Sequence, residues 1–233
     1  MRPAVALAAA LTALGGAPAA PAAAPKVRQL VVYRDGSAVQ TTASTRASTA
    51  RVGGRRCSTG KSTALSALVR SRPGALRLLD FGSCSLESGD SGGLFVKRIG
   101  SDANRGQNGW VYKVGRRAAT AGAADPSGPF GRGRLRAGQR VIWFYCRLRN
   151  GSCQRTLELR LRSEPESVMA SVRGYDDEGR AVAVAGASVT SGTASAITDA
   201  GGEARLSLAE GRHLVVAQKQ GTIRSFAERV DLP

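Results

Sequence analysis

A mostly β fold in two successive units is what this sequence predicts. Three observations predict it. Short apolar, β-branched runs recur along the chain, each bounded by Gly, Ser or Asp. One segment alone carries helical spacing. The charge also changes sign part-way: Lys26 to Arg162 holds 26 basic and 7 acidic residues, net +19, whereas Ser163 to Pro233 holds 7 and 10, net −3. The switch coincides with Ser163-Glu164-Pro165-Glu166, a Pro-containing turn signal, so the units are expected over residues 26–162 and 167–233.

Residues 1–24 read as an export signal. Arg2 supplies the positive start, Ala4 to Leu14 the apolar stretch, and Gly15 to Pro25 a small, Pro-rich region with Ala-x-Ala cleavage sites. Pro18 and Pro21 interrupt the stretch before it reaches the roughly 20 apolar residues of a spanning helix. No later run is long and apolar enough to cross a bilayer. An extracellular, envelope-facing protein is therefore expected.

Within the first unit, Val27–Tyr33, Ala75–Phe81, Leu94–Ile99, Trp110–Val114 and Val141–Arg147 are the expected strands. Leu157, Leu159 and Leu161 alternate with charged residues, which predicts a half-buried strand at its end. The helix is expected from Ser62 as cap to Arg70, with Leu65, Leu68 and Val69 on one face and Pro73-Gly74 as terminator. A strand, a hairpin, one helix and further strands in that order resemble a β-grasp-like α+β arrangement.

Cys57, Cys84, Cys146 and Cys153 form an even set in an exported chain, so disulfides are expected. Of the three pairings, Cys57–Cys84 with Cys146–Cys153 is the one expected. Zinc fits poorly, because there is no close Cys-x-x-Cys pair and the single His, His213, is remote. Asn150-Gly151 signals a hairpin. A two-residue turn there would set Cys146 opposite Arg155, so a longer loop, Leu148 to Gly151, is expected.

Two motifs invite catalytic readings. Gly89-Asp90-Ser91-Gly92-Gly93 copies a serine-protease nucleophile signature, yet no His precedes Ser91 to act as base. Gly60-Lys61-Ser62 lacks the upstream Gly of a phosphate-binding loop, since position 55 is Arg. The first is expected to be a polar Gly-rich turn and the second a helix cap with a solvated Lys, and Asn150-Gly151-Ser152 carries no weight as a glycosylation triplet.

The first unit resembles the transcobalamin-like C-terminal domain family of secreted bacterial proteins. The resemblance rests on Thr63-Ala64-Leu65-Ser66-Ala67-Leu68, Gly109-Trp110-Val111-Tyr112-Lys113-Val114 and Leu135 to Tyr145. It implies a β-grasp-like fold that binds small ligands or glycans. The chain departs from the family pattern at Gly115-Arg116 and Gly138-Gln139, and it lacks the helical domain that encloses cobalamin, so no cofactor is expected. The second unit resembles carboxypeptidase-regulatory or Ig-like (transthyretin-like) β-sandwich modules. That resemblance rests on Gly186 to Val189, Ile197 to Leu206 and Gly211 to Ala217, with Asp199–Gly202 as a hairpin turn and His213 as a structural residue.

Trp110 and Tyr112, like Trp143 and Tyr145, stand two residues apart and share a strand face. If exposed, that face is a stacking platform rimmed by Arg116, Arg117, Arg132, Arg134 and Arg136; if internal, it is core. The Gly- and Arg-rich loop from Gly115 to Gly138 is expected to be mobile. The expected function is a non-catalytic binding or adhesion protein whose basic first unit meets an anionic envelope polymer or glycan, without specific nucleic-acid recognition. A hydrolase using Ser91, or a structural module without ligand, are the alternatives.

Overall fold

The computed structural model describes residues 23–164 and 167–233, so the stretch expected to be an export signal lies almost wholly outside the described residues, as do Pro165 and Glu166. The first unit opens with the antiparallel pair β1 (Lys26–Val32) and β2 (Ala38–Ser44), then the hairpin β3 (Thr49–Val52) and β4 (Arg55–Ser58). Helix α1 (Ala64–Ser71) follows, then β5 (Leu76–Asp80), β6 (Leu94–Ile99) and β7 (Asp102–Ala103), which form a small sheet of their own. β8 (Gly109–Val114), β9 (Arg117–Ala118) and β10 (Arg140–Cys146) complete the main sheet, ordered β2-β1-β10-β8-β9. β1 and β10 pair in parallel at its centre. A hairpin, a crossing helix and a returning strand laid parallel to the first make this unit β-grasp-like.

The helix begins one residue later than expected. Thr63 is the cap: its Oγ1 accepts from the Ser66 amide at 3.1 Å, while the Thr63 amide donates to Ser66 Oγ at 3.3 Å. Ser62 instead has φ +60° and belongs to the turn before it. α1 buries Leu65 and Leu68 against one face of the main sheet, and the left-handed Arg72 before Pro73 ends it.

The second unit contains β11 (Thr156–Glu164), β12 (Ser167–Tyr175), β13 (Ala181–Ala183), β14 (Ser188–Ser191), β15 (Ala194–Ile197), β16 (Glu203–Ser207), β17 (Gly211–Gln218) and β18 (Glu228–Leu232). One sheet runs β11-β12-β13 with β16 also on β12; the other runs β15-β14-β17-β18. Their inner faces share one core, which includes Leu157, Leu159, Val172, Val189 and Val215. This is a small β-sandwich. β11 was expected to close the first unit, but it pairs with β12 along its whole length and its leucines enter the sandwich core. β11 and β12 thus belong to one sheet, and the units divide before Thr156. The charge contrast survives the shift: Lys26–Arg155 carries 24 basic and 6 acidic residues, net +18, against 9 and 11, net −2, after it.

Asp199–Gly202 also differs from expectation. It joins β15 to β16, which lie in opposite sheets, so it is a corner and not a hairpin. Gly202 is required there, with φ +79°; a Cβ would come within 2.6 Å of the Val172 carbonyl.

Both expected disulfides form. Cys57–Cys84 fastens β4 to the loop after β5. Cys146–Cys153 forms despite a register that differs from expectation. Asn150 and Gly151, both at positive φ, make a two-residue turn, with Arg149 and Ser152 bonded across it. The ladder stops there: the Arg147 amide bonds the Gln154 side chain, so the chain leaves register and brings the Cys146 and Cys153 Cα atoms to 5.2 Å.

Strict alternation in β1, β8 and β10 gives the main sheet two apolar faces. Val27, Val31, Trp110, Tyr112, Trp143 and Tyr145 lie on the α1 side. Leu30, Val32, Ile142 and Phe144 lie on the other, where Ile223 and Phe226 of the β17–β18 connection cover them. The two units are therefore joined by a shared apolar layer. No helix among the described residues is long and apolar enough to cross a membrane.

Candidate functional site

The four aromatic residues fall in the core. Trp110, Tyr112, Trp143 and Tyr145 are 5%, 8%, 1% and 4% exposed. Cross-strand register pairs them: Trp143 with Tyr112, stacked at 5.0 Å, and Tyr145 with Trp110, edge-on at 6.0 Å. Their polar tips are mostly engaged inside. Trp110 Nε1 donates to the Asp102 carbonyl, Tyr112 Oη to Ala121 and Tyr145 Oη to Ala103. Burial pushes the Tyr112 hydroxyl well above the usual tyrosine range, with the Asp125 charge adding to it. Trp143 Nε1 finds no acceptor among the described residues. The exposed stacking platform is thus replaced by a packed layer beneath α1. Beside it runs an apolar slot of about 300 Å³, between Leu94–Val96 and Trp110–Tyr112.

The arginine rim is exposed but disperses into separate tasks. Arg116 forms a two-pronged pair with Glu158, both contacts at 2.7 Å, and lies 4.8 Å over the Tyr175 ring. Arg117 lies 5.6 Å over Phe130, and Arg134 Nε donates to the Pro126 carbonyl. Arg132 and Arg136 project outward. The loop carrying them is anchored: Leu65 N–H donates to Ala123, Leu135 N–H to Ser62, and Ala124 is fully buried.

Ser91 is fully buried, and its hydroxyl sits 2.9 Å from the Ser88 carbonyl and 3.0 Å from that of Ala124. That environment holds a donor and offers it no base. His213 lies far along the chain in β17, with Nε2 donating to the Ala209 carbonyl. Gly60-Lys61-Ser62 is the turn leading into the Thr63 cap.

Among the cations that sequence reasoning did not single out, two groups stand between the units. In the first, each meets a carboxylate of the second unit. Lys113 is fully buried on the face opposite α1, 3.2 Å from Asp177, and donates to the carbonyls of Tyr175 and Asp176. Desolvation lowers its proton affinity, and Asp177 partly restores it. Arg28 and Arg140 both reach Glu228, at 3.0 and 2.9 Å, and flank the Phe226 ring at 5.2 and 5.4 Å.

The second group lines a cleft between the units, of about 510 Å³. Arg34 and Arg147 come from the first unit, Lys219 and Arg224 from the β17–β18 connection, and Asp35 is the one carboxylate among the lining residues. None of the four cations forms an ion pair among the described residues. Arg224 is half-buried, its Nε is shielded from solvent without an acceptor, and desolvation alone lowers its proton affinity. Two further hollows share residues with this cleft. One, of about 740 Å³, shares Arg34, Asp35 and Arg147 and adds Arg105 with a second carboxylate, Asp102; another, of about 300 Å³, shares Arg147 and Gln154 and adds Arg149 and Arg155. The result is a continuous cationic depression. Sequence reasoning missed it because its residues come from four separate turns; the only signal was the general excess of arginine.

Compared with known proteins, the chain matches no family model, no curated protein and no solved structure.

Proposed function

We propose that this protein is a non-catalytic binding protein of the extracellular side of the envelope, and that it captures an anionic partner in the cleft between its two units. Arg224 is the observation that carries this reading. A guanidinium Nε–H shielded from water without an acceptor costs free energy in the empty protein. An oxyanion bound there removes that cost by accepting its hydrogen bonds. Arg34, Arg147 and Lys219 add charge of the same sign around it. The two disulfides support an oxidising compartment. The proposed resemblance to transcobalamin-like C-terminal domains supports binding over catalysis, as does the engagement of the Ser91 hydroxyl by carbonyls.

Titration calorimetry with dextran sulfate as a probe anion tests the reading. Binding is expected to weaken steeply with added salt. Arg224→Met is expected to lower affinity roughly tenfold, about 1.4 kcal/mol. Salt-insensitive binding, or an Arg224→Met variant that binds as well as the native protein, overturns it.

A second reading rests on the apolar slot beside Trp110–Tyr112. Phe95 at its lip is 41% exposed and touches Phe81, itself 76% exposed, edge-on at 5.8 Å. Large exposed aromatics in contact, next to an apolar slot, favour a small apolar ligand there. Quenching of tryptophan fluorescence by such a ligand, abolished in Phe95→Ser, is the result expected on that reading.

A further inference from the structure

We infer that the ligand of the cleft is an acidic saccharide chain, carrying carboxylates and hydroxyls together; this rests on the anion-binding reading above and names its ligand class. Gln218 and Gln220 are exposed and flank Lys219 on the cleft wall, and neither side chain has a hydrogen-bond partner among the described residues. Each amide presents an acceptor as well as donors. A sulfate or the ionised oxygens of a polyphosphate present only acceptors to them, so the amide oxygens would gain no partner from such a ligand. A sugar hydroxyl donates and accepts at once and satisfies both ends.

Asp35 points the same way. Its carboxylate is held below the usual range chiefly by the Ser37 hydroxyl and so stays ionised in the cleft. It repels a dense phosphate chain, yet it accepts a hydrogen bond from a hydroxyl. Tyr33 adds a half-buried ring to the same wall, and the apolar face of a sugar ring packs on such a surface.

The distribution of charge argues for a chain over a single ion. Arg105, Arg34, Arg147 and Arg149 succeed one another through the three connected hollows. Single cations in series suit a polymer with one carboxylate per unit. They do not make the concentrated nest of backbone N–H groups and cations that grips a polyphosphate.

The test compares four probes at one ionic strength: a short polygalacturonate oligomer, inorganic tripolyphosphate, a neutral maltooligosaccharide and an oligothymidylate. The uronate is expected to bind at least tenfold tighter than the others. Gln218→Ala combined with Gln220→Ala should weaken uronate binding roughly fivefold and leave tripolyphosphate unchanged. Arg224→Met should weaken both anions. Melting temperatures of the variants, expected within a few degrees of native, show that each is folded. If tripolyphosphate or oligothymidylate binds as tightly as the uronate, or the Gln variants leave uronate binding unchanged, the saccharide inference falls while the anion-binding cleft stands. If Arg224→Met and Arg34→Ala alter none of the affinities, the anion-binding reading itself falls.

Discussion

Two cationic regions lie between the same two units, and they are built in opposite ways. On the back of the main sheet, Lys113, Arg116, Arg28 and Arg140 of the first unit each meet Asp177, Glu158 or Glu228 of the second. In the cleft, Arg34, Arg147, Lys219 and Arg224 share the lining with Asp35 alone. The matched region explains why the basic unit is followed by a mildly acidic one: part of the charge contrast is the contact between them. In the unmatched region Arg34, Arg147 and Lys219 are exposed and Arg224 is half-buried, with no ion pair to any of the four among the described residues. Charges are matched where the units touch and left unmatched along the cleft, where the proposed anion would bind.

The largest expected effect breaks the matched region at its apolar centre. Phe226 is 2% exposed, packed on Leu30, Ile142 and Phe144 and flanked by two guanidinium groups. Phe226→Ala removes the ring and leaves a cavity, with an expected loss of about 3–5 kcal/mol. Because the damage is confined to the junction, the variant should unfold in two calorimetric steps where the native protein shows one. A single transition at the native temperature contradicts a shared apolar layer.

Next comes the buried pair. Asp177→Ala leaves the Lys113 ammonium without its counter-charge in a site closed to water, and the expected cost is about 3 kcal/mol. Lys113→Met is expected to cost less, since Asp177 keeps partial access to solvent and no buried charge remains. The pair also has a pH signature. Lys113 has a folded proton affinity below its ordinary 10.5, so between the two values the unfolded chain holds more protons. Its contribution to stability therefore rises as pH climbs toward 10.5, and that rise is absent from Lys113→Met. Urea titrations of both proteins, from about pH 8 to 10, read the difference.

Acid should dissolve the matched region from the other side. Glu158 is held below 4.5 first by its hydrogen bond to Arg116, and Asp176 is held at about 2 first by Arg180. Depressed carboxylates contribute stability that is complete above their unfolded values and is lost as pH falls through the folded ones. The loss is expected to begin below about 4.5 and to extend toward 2. Glu158→Gln should lack the earlier part of it, read as a shallower decline in melting temperature.

The sheet architecture was legible because alternation and turn residues act locally. Val27–Tyr33, Leu94–Ile99 and Val141–Arg147 each appear within a residue or two of expectation. The unit boundary differs from expectation because β11 and β12, on either side of Pro165, pair in one sheet; a turn signal does not reveal what the flanking strands pair with. The burial of Trp110 and Trp143 was undecidable from spacing. Both faces of this sheet are covered, one by α1 and one by Phe226, and the second cover lies some eighty residues downstream of β10 in sequence. The cleft was invisible for the same reason: Arg34 and Arg224 are neighbours only after two units fold and dock.

The smallest effect on stability is also the sharpest contrast. Arg116→Met and Arg224→Met make the same exchange, a guanidinium for an apolar side chain of similar reach, in the two regions. Arg116 loses a two-pronged pair with Glu158 and a stacked Tyr175 ring, so it should destabilise by about 1 kcal/mol. Arg224 has no acceptor to lose and a desolvation cost to shed, so it should leave stability unchanged or raise it by up to about 1 kcal/mol. Opposite signs in paired denaturant titrations, with anion binding lost only in Arg224→Met, would separate cations that hold the protein together from cations kept for a partner. If both variants destabilise alike, Arg224 has an internal partner in solution and the distinction between the two regions collapses.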